Sequence, residues 1–179
     1  DADPIVLATG AADALLLGDG RRSGANTDVE GIERVLAEQG AARGTAASVV
    51  GGGATARSAV AALAALGASS VTGYVRRPEA GDELVATGAA VGIEVAVLPW
   101  ERAHEALRAP VVVSTVPRGV ADALVDAVPA VAGVLLDVVY DPWPTALAAA
   151  WSERGGRVAS GLIMLLHQAV AQVRLMTGE

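Results

Sequence analysis

The sequence predicts an α/β protein with a doubly wound, parallel β-sheet and helices on both of its faces. From Ala46 onward, short valine-rich segments alternate with alanine-rich segments of helical length, an order typical of right-handed βαβ units. Residues 111–115 and 133–139 are continuous apolar runs, as expected for strands buried on both faces. A glycine-rich turn at residues 51–53 joins the first strand of the alternation to a helix.

The first 45 residues precede this alternation. Residues 1–25 predict two short strands, joined by a hairpin turn at Gly18-Asp19-Gly20. A helix follows, because Thr27 and Glu30 have the spacing of a capping box, and its apolar positions continue to Gly40. A loop at 41–45 leads to the alternating part.

The alternating part and the terminal helix complete the chain. We predict strands at 47–50, 70–75, 93–98, 111–115, 133–139 and 157–159. We predict helices at 54–66, 78–88, 100–107, 121–127, 145–154 and 162–176. Gly67 and Gly178 end two of these helices, and the proline-containing residues 140–144 form a rigid loop after the fifth strand.

The composition excludes several classes of protein. Of the 179 residues, 53% are hydrophobic, which is ample for a core, and the net charge of −7 argues against a nucleic-acid partner. The absence of cysteine excludes a disulfide framework, a metal thiolate and a cysteine nucleophile, and we predict no metal. The N-terminus lacks the basic start of a signal peptide, and residues 67–70 interrupt the uncharged stretch 58–75. We therefore expect a cytoplasmic protein without a membrane span.

Gly51, Gly53 and Ala56 fit the G-x-G-x-x-G/A pattern of a dinucleotide-binding turn. Gly51 lets the chain turn sharply, Gly53 lets the backbone approach a pyrophosphate, and Ala56 lets the helix pack closely against the strand. The start of the helix, including Ala54 and Thr55, offers free N–H groups and the positive end of a dipole to phosphates. The alternative is a glycine-rich turn of an α/β protein that binds no nucleotide.

Two arginines favour NADP over NAD. NAD-binding proteins place a carboxylate at the end of the second strand, but here that strand is followed by Arg76 and Arg77, with no carboxylate before Glu79. Guanidinium groups at this position suit the 2′-phosphate of NADP. The alternative is a pair of solvated arginines on a loop.

Several spaced motifs resemble the shikimate dehydrogenase family. Residues 10–14, Gly-Ala-Ala-Asp-Ala, stand where that family has Gly-Ala-Val-Asn-Thr, and residues 24–31 resemble its Gly-x-Asn-Thr-Asp-x-x-Gly. The glycine loop and the arginine pair follow at the expected distances. The remaining matches are Ser114-Thr115-Val116-Pro117, residues 137–145 and residues 161–169.

The resemblance implies an N-terminal substrate domain and a Rossmann-like C-terminal NADP domain, with the active site between them. Most of the first domain is absent from the sequence. We expect residues 1–25 to be a remnant hairpin of it and residues 26–45 a connecting helix and loop. Residues 46–160 would form the NADP domain, and residues 161–179 a helix returning toward the substrate domain.

The resemblance also implies a reaction, the NADPH-dependent reduction of 3-dehydroshikimate to shikimate, with a Lys and an Asp as the working pair. The Asp corresponds to Asp28. The Lys would lie upstream of residue 1, and the chain contains no lysine, so we expect it to be inactive alone.

Further site residues follow from the resemblance. It implies that the substrate is bound by Asn26, Tyr140, Gln168 and Asp13. Asp13 stands in place of an Asn of the family, and a carboxylate there cannot donate a hydrogen bond to a substrate oxygen. The cofactor residues would be Gly51, Gly52, Gly53, Ala54, Thr55, Ala56, Arg76, Arg77, Ser114, Thr115, Val116, Gly161 and Met164. Two alternatives stay open, a non-catalytic NADP(H)-binding module and a dehydrogenase that uses quinate.

Overall fold

The computed structural model describes residues 3–18 and 20–178, and its central feature is a parallel sheet of six strands. The elements in chain order are α1 (Pro4–Thr9), β1 (Ala14–Gly18), β2 (Arg21–Ala25), α2 (Thr27–Glu38), β3 (Ala46–Val50), α3 (Ala54–Ala65), β4 (Ser70–Val75), α4 (Pro78–Val91), β5 (Val95–Pro99), a 3-10 helix (Trp100–Arg108), β6 (Val111–Ser114), a second 3-10 helix (Val120–Ala127), β7 (Val134–Asp137), α5 (Ala146–Glu153), β8 (Arg157–Ser160) and α6 (Gly161–Thr177).

The strand order confirms the doubly wound α/β prediction. The sheet runs β5-β4-β3-β6-β7-β8, so the chain starts at the centre, moves out to one edge, and crosses back to fill the other half. Val50 at the end of β3 is level with Tyr74 of β4 and Ser114 of β6. The crevice between β3 and β6 is therefore a topological switch point, where open α/β sheets bind ligands.

Two apolar cores cover the two faces of the sheet. One contains α2, α3 and α4, with Ile32 and Leu84 fully buried. The other contains α5 and the two 3-10 helices, with Trp151 fully buried and its indole N–H donating to the Gly133 carbonyl at 3.0 Å. Each fully buried large side chain contributes roughly 1.5–3 kcal/mol, so both helical layers are held firmly on the sheet.

The N-terminal hairpin is as predicted, but the prediction for residues 1–25 misses α1. β1 and β2 pair antiparallel, with Gly18 opposite Arg21; the predicted turn residue Asp19 lies outside the described residues. In α1, the Asp3 carboxylate accepts a hydrogen bond from the Ile5 N–H at 2.9 Å, and Pro4 occupies the first helical position. The Asp-Pro pair is a signal for the start of a helix, which the prediction of two strands for residues 1–25 does not include.

The predicted capping box of α2 is wrong, although the helix itself is correct. Asn26 is the N-cap residue and makes no side-chain cap bond. The Thr27 N–H donates instead to the Asp13 carboxylate at 2.7 Å, because a charged acceptor held nearby by β1 competes better than a hydroxyl. Glu30 is left to pair with Arg34 and Arg174.

The C-terminal boundary of α4 differs from the prediction for a packing reason. The helix predicted to end at Gly88 continues to Val91 and ends at Gly92, which has a φ of 78°. A Cβ at Gly88 would overlap the side chain of Val95, so this glycine serves close packing on β5 rather than termination. The residues at 100–108 and 120–127 form 3-10 helices.

Within the described residues, no helix is long and apolar enough to cross a bilayer.

Candidate functional site

A cleft of about 330 Å³ lies at the C-terminal edge of β3, β4 and β6. We call it the glycine-loop cleft. Its walls come from the ends of β3, β4, β5 and β6, the residues that follow them, and Ala80 of α4. The lining residues are Gly51, Gly52, Gly53, Tyr74, Val75, Arg76, Arg77, Ala80, Trp100, Thr115, Val116 and Pro117.

The three glycines of this cleft differ in what surrounds them. Gly51 has a φ of 120°, and a Cβ there would overlap Thr115. A Cβ on Gly52 would lie 2.7 Å from the Ala80 Cβ, so Gly52 lets α4 approach the loop. A Cβ on Gly53 would meet nothing within 4 Å. Gly51 and Gly52 are therefore required by the fold, whereas no contact with the residues that the structure describes requires Gly53.

The start of α3 offers hydrogen-bond donors at the same place. Gly53 is the N-cap residue of α3 and makes no side-chain cap bond. The first-turn N–H groups of a helix have no partner within the helix, and they carry its positive dipole end. Ala56 is fully buried, as expected for a residue that packs the helix against β3. This arrangement suits an anion such as a phosphate.

Arg76 and Arg77 bring positive charge to the cleft. Both directly follow β4 and both are exposed. Among the residues that the structure describes, neither guanidinium forms an ion pair or a hydrogen bond. Two cations beside the glycine loop can therefore bind a second anionic group without first breaking an internal contact.

Sequence reasoning missed the aromatic residues of this cleft. Tyr74 is 4% exposed, and burial, followed by the nearby Glu105, raises the pKa of its phenol above the ordinary value. Trp100 is half-buried at the start of the first 3-10 helix. Its position, directly after a strand end at the binding edge of the sheet, is a signal that was available in the sequence.

A second cleft, of about 220 Å³, adjoins the start of α3 on the other side. We call it the Asp28 cleft. The predicted residues Asp28, Thr55, Tyr140, Gly161, Met164 and Gln168 line it together with Val138 and Leu165. Thr55 is only two residues from Gly53, so the two clefts lie on either side of the first turn of α3.

Packing of α2 against α6 brings Asp28 and Gln168 together. Gly31 makes the close approach possible, because a Cβ there would lie 2.9 Å from both the Gln168 Cγ and the Met164 carbonyl oxygen. The Gln168 amide Nε2 donates a short hydrogen bond to the Asp28 carboxylate. Gly161 starts α6, and a Cβ there would overlap the Val138 carbonyl.

A second carboxylate completes this polar cluster. Asp13 accepts hydrogen bonds from the hydroxyl of Thr27 and, at 3.4 and 3.3 Å, from the amides of Gln168 and Gln172. Burial, followed by repulsion from the Asp13 charge, raises the pKa of Asp28 to about 6. Asp28 therefore changes its protonation near neutral pH, as proton-transfer groups commonly do.

The loop that carries Tyr140 is anchored at both ends. The Val139 N–H and the Thr145 hydroxyl donate to the buried Asp137 carboxylate at 3.2 and 2.8 Å. Burial raises the pKa of Asp137 above its ordinary value, and these two hydrogen bonds oppose that rise. Tyr140 itself is 55% exposed, so its phenol ring reaches the mouth of the cleft.

Five predicted site residues line neither cleft: Asp13, Asn26, Ala54, Ala56 and Ser114. The Asn26 amide is buried and donates to the Thr9 and Ser58 hydroxyls at 3.0 Å each, so it joins α1 and α3 to the start of α2. Ser114 is fully buried within the sheet at the end of β6.

Known proteins resemble this chain along nearly all of its length, although no protein-family model matches it. It is 35% identical over 184 residues to a shikimate dehydrogenase (NADP(+)) of Oleidesulfovibrio alaskensis, a match that covers 98% of the chain and 63% of the relative. The crystal structure of Mycobacterium tuberculosis shikimate dehydrogenase matches with a TM-score of 0.91 and 40% identity, over 99% of the chain and 67% of that protein.

A third match contains ligands. The crystal structure of Thermus thermophilus shikimate 5-dehydrogenase in complex with NADP(H) and shikimate gives a TM-score of 0.79 and 29% identity, covering 99% of the chain and 66% of that protein. The chain thus spans about 63% of the length of the curated relative that it matches.

Proposed function

Because this chain belongs to the shikimate dehydrogenase family, we propose that it is the NADP-binding portion of an enzyme that reduces 3-dehydroshikimate to shikimate with NADPH. The observation that carries the proposal is the glycine-loop cleft, where Arg76 and Arg77 lie beside the open face of Gly53. We further propose that residues 1–25 and α6 belong with a substrate domain, and residues 46–160 with the cofactor.

The residues of the glycine-loop cleft and the Asp28 cleft fit NADPH. The N–H groups at the start of α3 would bind the pyrophosphate, and Arg76 and Arg77 the 2′-phosphate. Thr55, Thr115, Val116, Gly161 and Met164 would line the path from there to the Asp28 cleft. NADPH supplies a hydride when bound, and the protein supplies its orientation.

Asp28 would hold the substrate hydroxyl and exchange a proton with it. A carboxyl group with a pKa of about 6 accepts and releases protons readily near neutral pH. Gln168 holds this carboxyl group in place, and Tyr140 lies at the mouth of the same cleft. The working Lys of the family would come from outside residues 1–179, since the chain contains no lysine.

Nucleotide titration tests the proposal. We expect the chain to bind NADPH more tightly than NADH, and the Arg76→Ala/Arg77→Ala variant to lose that preference. Arg34→Ala/Arg154→Ala removes the same charge from exposed sites away from the cleft and should leave the preference unchanged. Gly53→Ala should fold normally, because its Cβ meets open space, yet lose affinity for both nucleotides. Equal affinities for NADPH and NADH in the unaltered chain would contradict the proposal.

A non-catalytic NADP(H)-binding module is the second candidate. Asp13 favours it, because its carboxylate is already engaged with Thr27. For either candidate we expect negligible turnover of shikimate by residues 1–179 alone. NADP-dependent oxidation of shikimate at about 1 per second or faster, a rate typical of enzymes, would show that no external lysine is needed.

A further inference from the structure

We propose that Trp100 is the base-stacking residue of the glycine-loop cleft, and that its indole ring carries the adenine of the bound nucleotide. The inference rests on the proposed function, and it adds a residue that binds the base. Neither the sequence motifs nor the phosphate-binding groups of the cleft assign a partner to the base.

The strand register places Trp100 beside the arginine pair. Val75, the last residue of β4, is level with Pro99, the last residue of β5. Arg76 and Trp100 therefore leave neighbouring parallel strands at the same edge of the sheet. Both line the glycine-loop cleft.

The candidate binding groups of the cleft lie side by side across the sheet. The glycine loop follows β3, the arginine pair follows β4 and Trp100 follows β5, and these strands are consecutive neighbours in the sheet. The base on C1′ and the 2′-phosphate on C2′ leave adjacent ribose carbons, so a nucleotide with its 2′-phosphate on the arginines has its base close to the same strand ends. Trp100 lies beside these strand ends.

Trp100 is the aromatic residue of the cleft whose ring is exposed enough to stack on a base. Of the described residues that line it, only Tyr74 and Trp100 are aromatic, and Tyr74 is 4% exposed, so little of its ring is available. Trp100 is half-buried and packs against the core formed by α5 and the 3-10 helices, which fixes the indole while leaving part of it exposed. A fixed aromatic surface favours stacking of a flat base.

The probe for the test is 2′,5′-ADP, which carries the adenine and both phosphates but no nicotinamide. The chain has three tryptophans, and in a Trp143→Phe background only Trp100 and the fully buried Trp151 fluoresce. We expect saturating 2′,5′-ADP to quench Trp100 emission in this background. Trp100→Phe should remove the quenching while calorimetry still detects binding, and Trp100→Ala should weaken 2′,5′-ADP binding about tenfold.

Two results would overturn the inference. One is unchanged tryptophan emission at saturating 2′,5′-ADP, and the other is a folded Trp100→Ala chain that binds the probe as tightly as the unaltered chain. In either case, retained NADPH binding that depends on Arg76 and Arg77 would leave the proposed function standing. Absence of both 2′,5′-ADP and NADPH binding in the unaltered chain would reject the two proposals together.

Discussion

Asp28 is the residue whose acid–base chemistry the surrounding protein changes most. The ordinary pKa of its carboxyl group is 3.8, and in the fold this pKa rises to about 6, first because the group is partly buried and second because Asp13 is close by. Burial and like charge both disfavour the ionised form. The protein therefore loses stability by keeping an ionised Asp28 at neutral pH.

The sign of this effect predicts how stability depends on pH. Below about pH 4, Asp28 is protonated in the folded and the unfolded state, and ionisation costs nothing. As the pH rises from about 4 to about 6, only the unfolded chain releases the proton freely, so the free energy of unfolding falls. Above about pH 6, the free energy of unfolding is lowered by the full cost of keeping Asp28 ionised in the folded state.

We therefore expect Asp28→Asn to stabilise the fold at pH 7.5. The gain should be about 1 kcal/mol, because partial solvation reduces the larger value implied by the pKa shift. The Asn oxygen can still accept the Gln168 hydrogen bond, so little packing is lost. Urea unfolding at pH 7.5 and pH 4.5 should show the gain at the higher pH and a smaller gain at the lower pH. Asp82→Asn, an equal charge change at an exposed position on α4, should show no comparable gain. A gain independent of pH would contradict this account.

At the scale of elements, the crossing of α2 and α6 determines the shape of the Asp28 cleft. Gly31 lies at this crossing, where Gln168 and the Met164 carbonyl approach it. In an unobstructed helix, exchanging Gly for Ala raises stability by up to about 1 kcal/mol. At Gly31 the new methyl group would press on backbone, which cannot move aside easily, so the sign should reverse.

We expect Gly31→Ala to lower the free energy of unfolding by about 1–3 kcal/mol and to separate Gln168 from Asp28. The separation should appear as a change in the pKa of Asp28, followed by carboxyl NMR. Gly24→Ala is the matched control, since its Cβ would meet side-chain atoms at ordinary distances of 3.5 and 3.8 Å. Stabilisation by Gly31→Ala would show that the two helices are not in close contact at this position.

The helices and strands show which features the sequence could predict and which it could not. Hydrophobic periodicity and glycine positions predicted all six strands of the parallel sheet and their helices, because these signals are local. The capping of α2 was mispredicted because Asp13, which provides it, is 14 positions away in the chain. The position of Arg57 likewise depends on distant residues: it follows the glycine loop in the sequence, donates to the Thr9 carbonyl at 2.5 Å and pairs with Glu83, so it joins α1 to α4. In each case, contacts with residues that are distant in the sequence determine the hydrogen-bond partners.

At the scale of the whole molecule, one face stands out as apolar and uncovered. Leu162, Leu166, Val173 and Met176 recur at helical spacing along α6, and they are 59%, 59%, 56% and 69% exposed. The β1–β2 hairpin adds Leu15 and Leu17, which are 65% and 71% exposed. Apolar patches of this kind on soluble proteins usually mark interaction sites. The polar cluster of Asp13, Gln168 and Gln172 joins the same two elements, so this face and the Asp28 cleft depend on each other.

Exposed apolar area on α6 should make residues 1–179 associate at high concentration. We expect Leu166→Glu to weaken that association about tenfold or more, because it places a charge in the middle of the α6 stripe and removes a leucine that would otherwise be buried on contact. Sedimentation or light scattering over a concentration series measures the effect. Val131→Glu makes the same kind of exchange at a single apolar residue that is 89% exposed outside this face, and it should leave association nearly unchanged. Equal effects of the two variants would mean that added negative charge, rather than the α6 face, controls association.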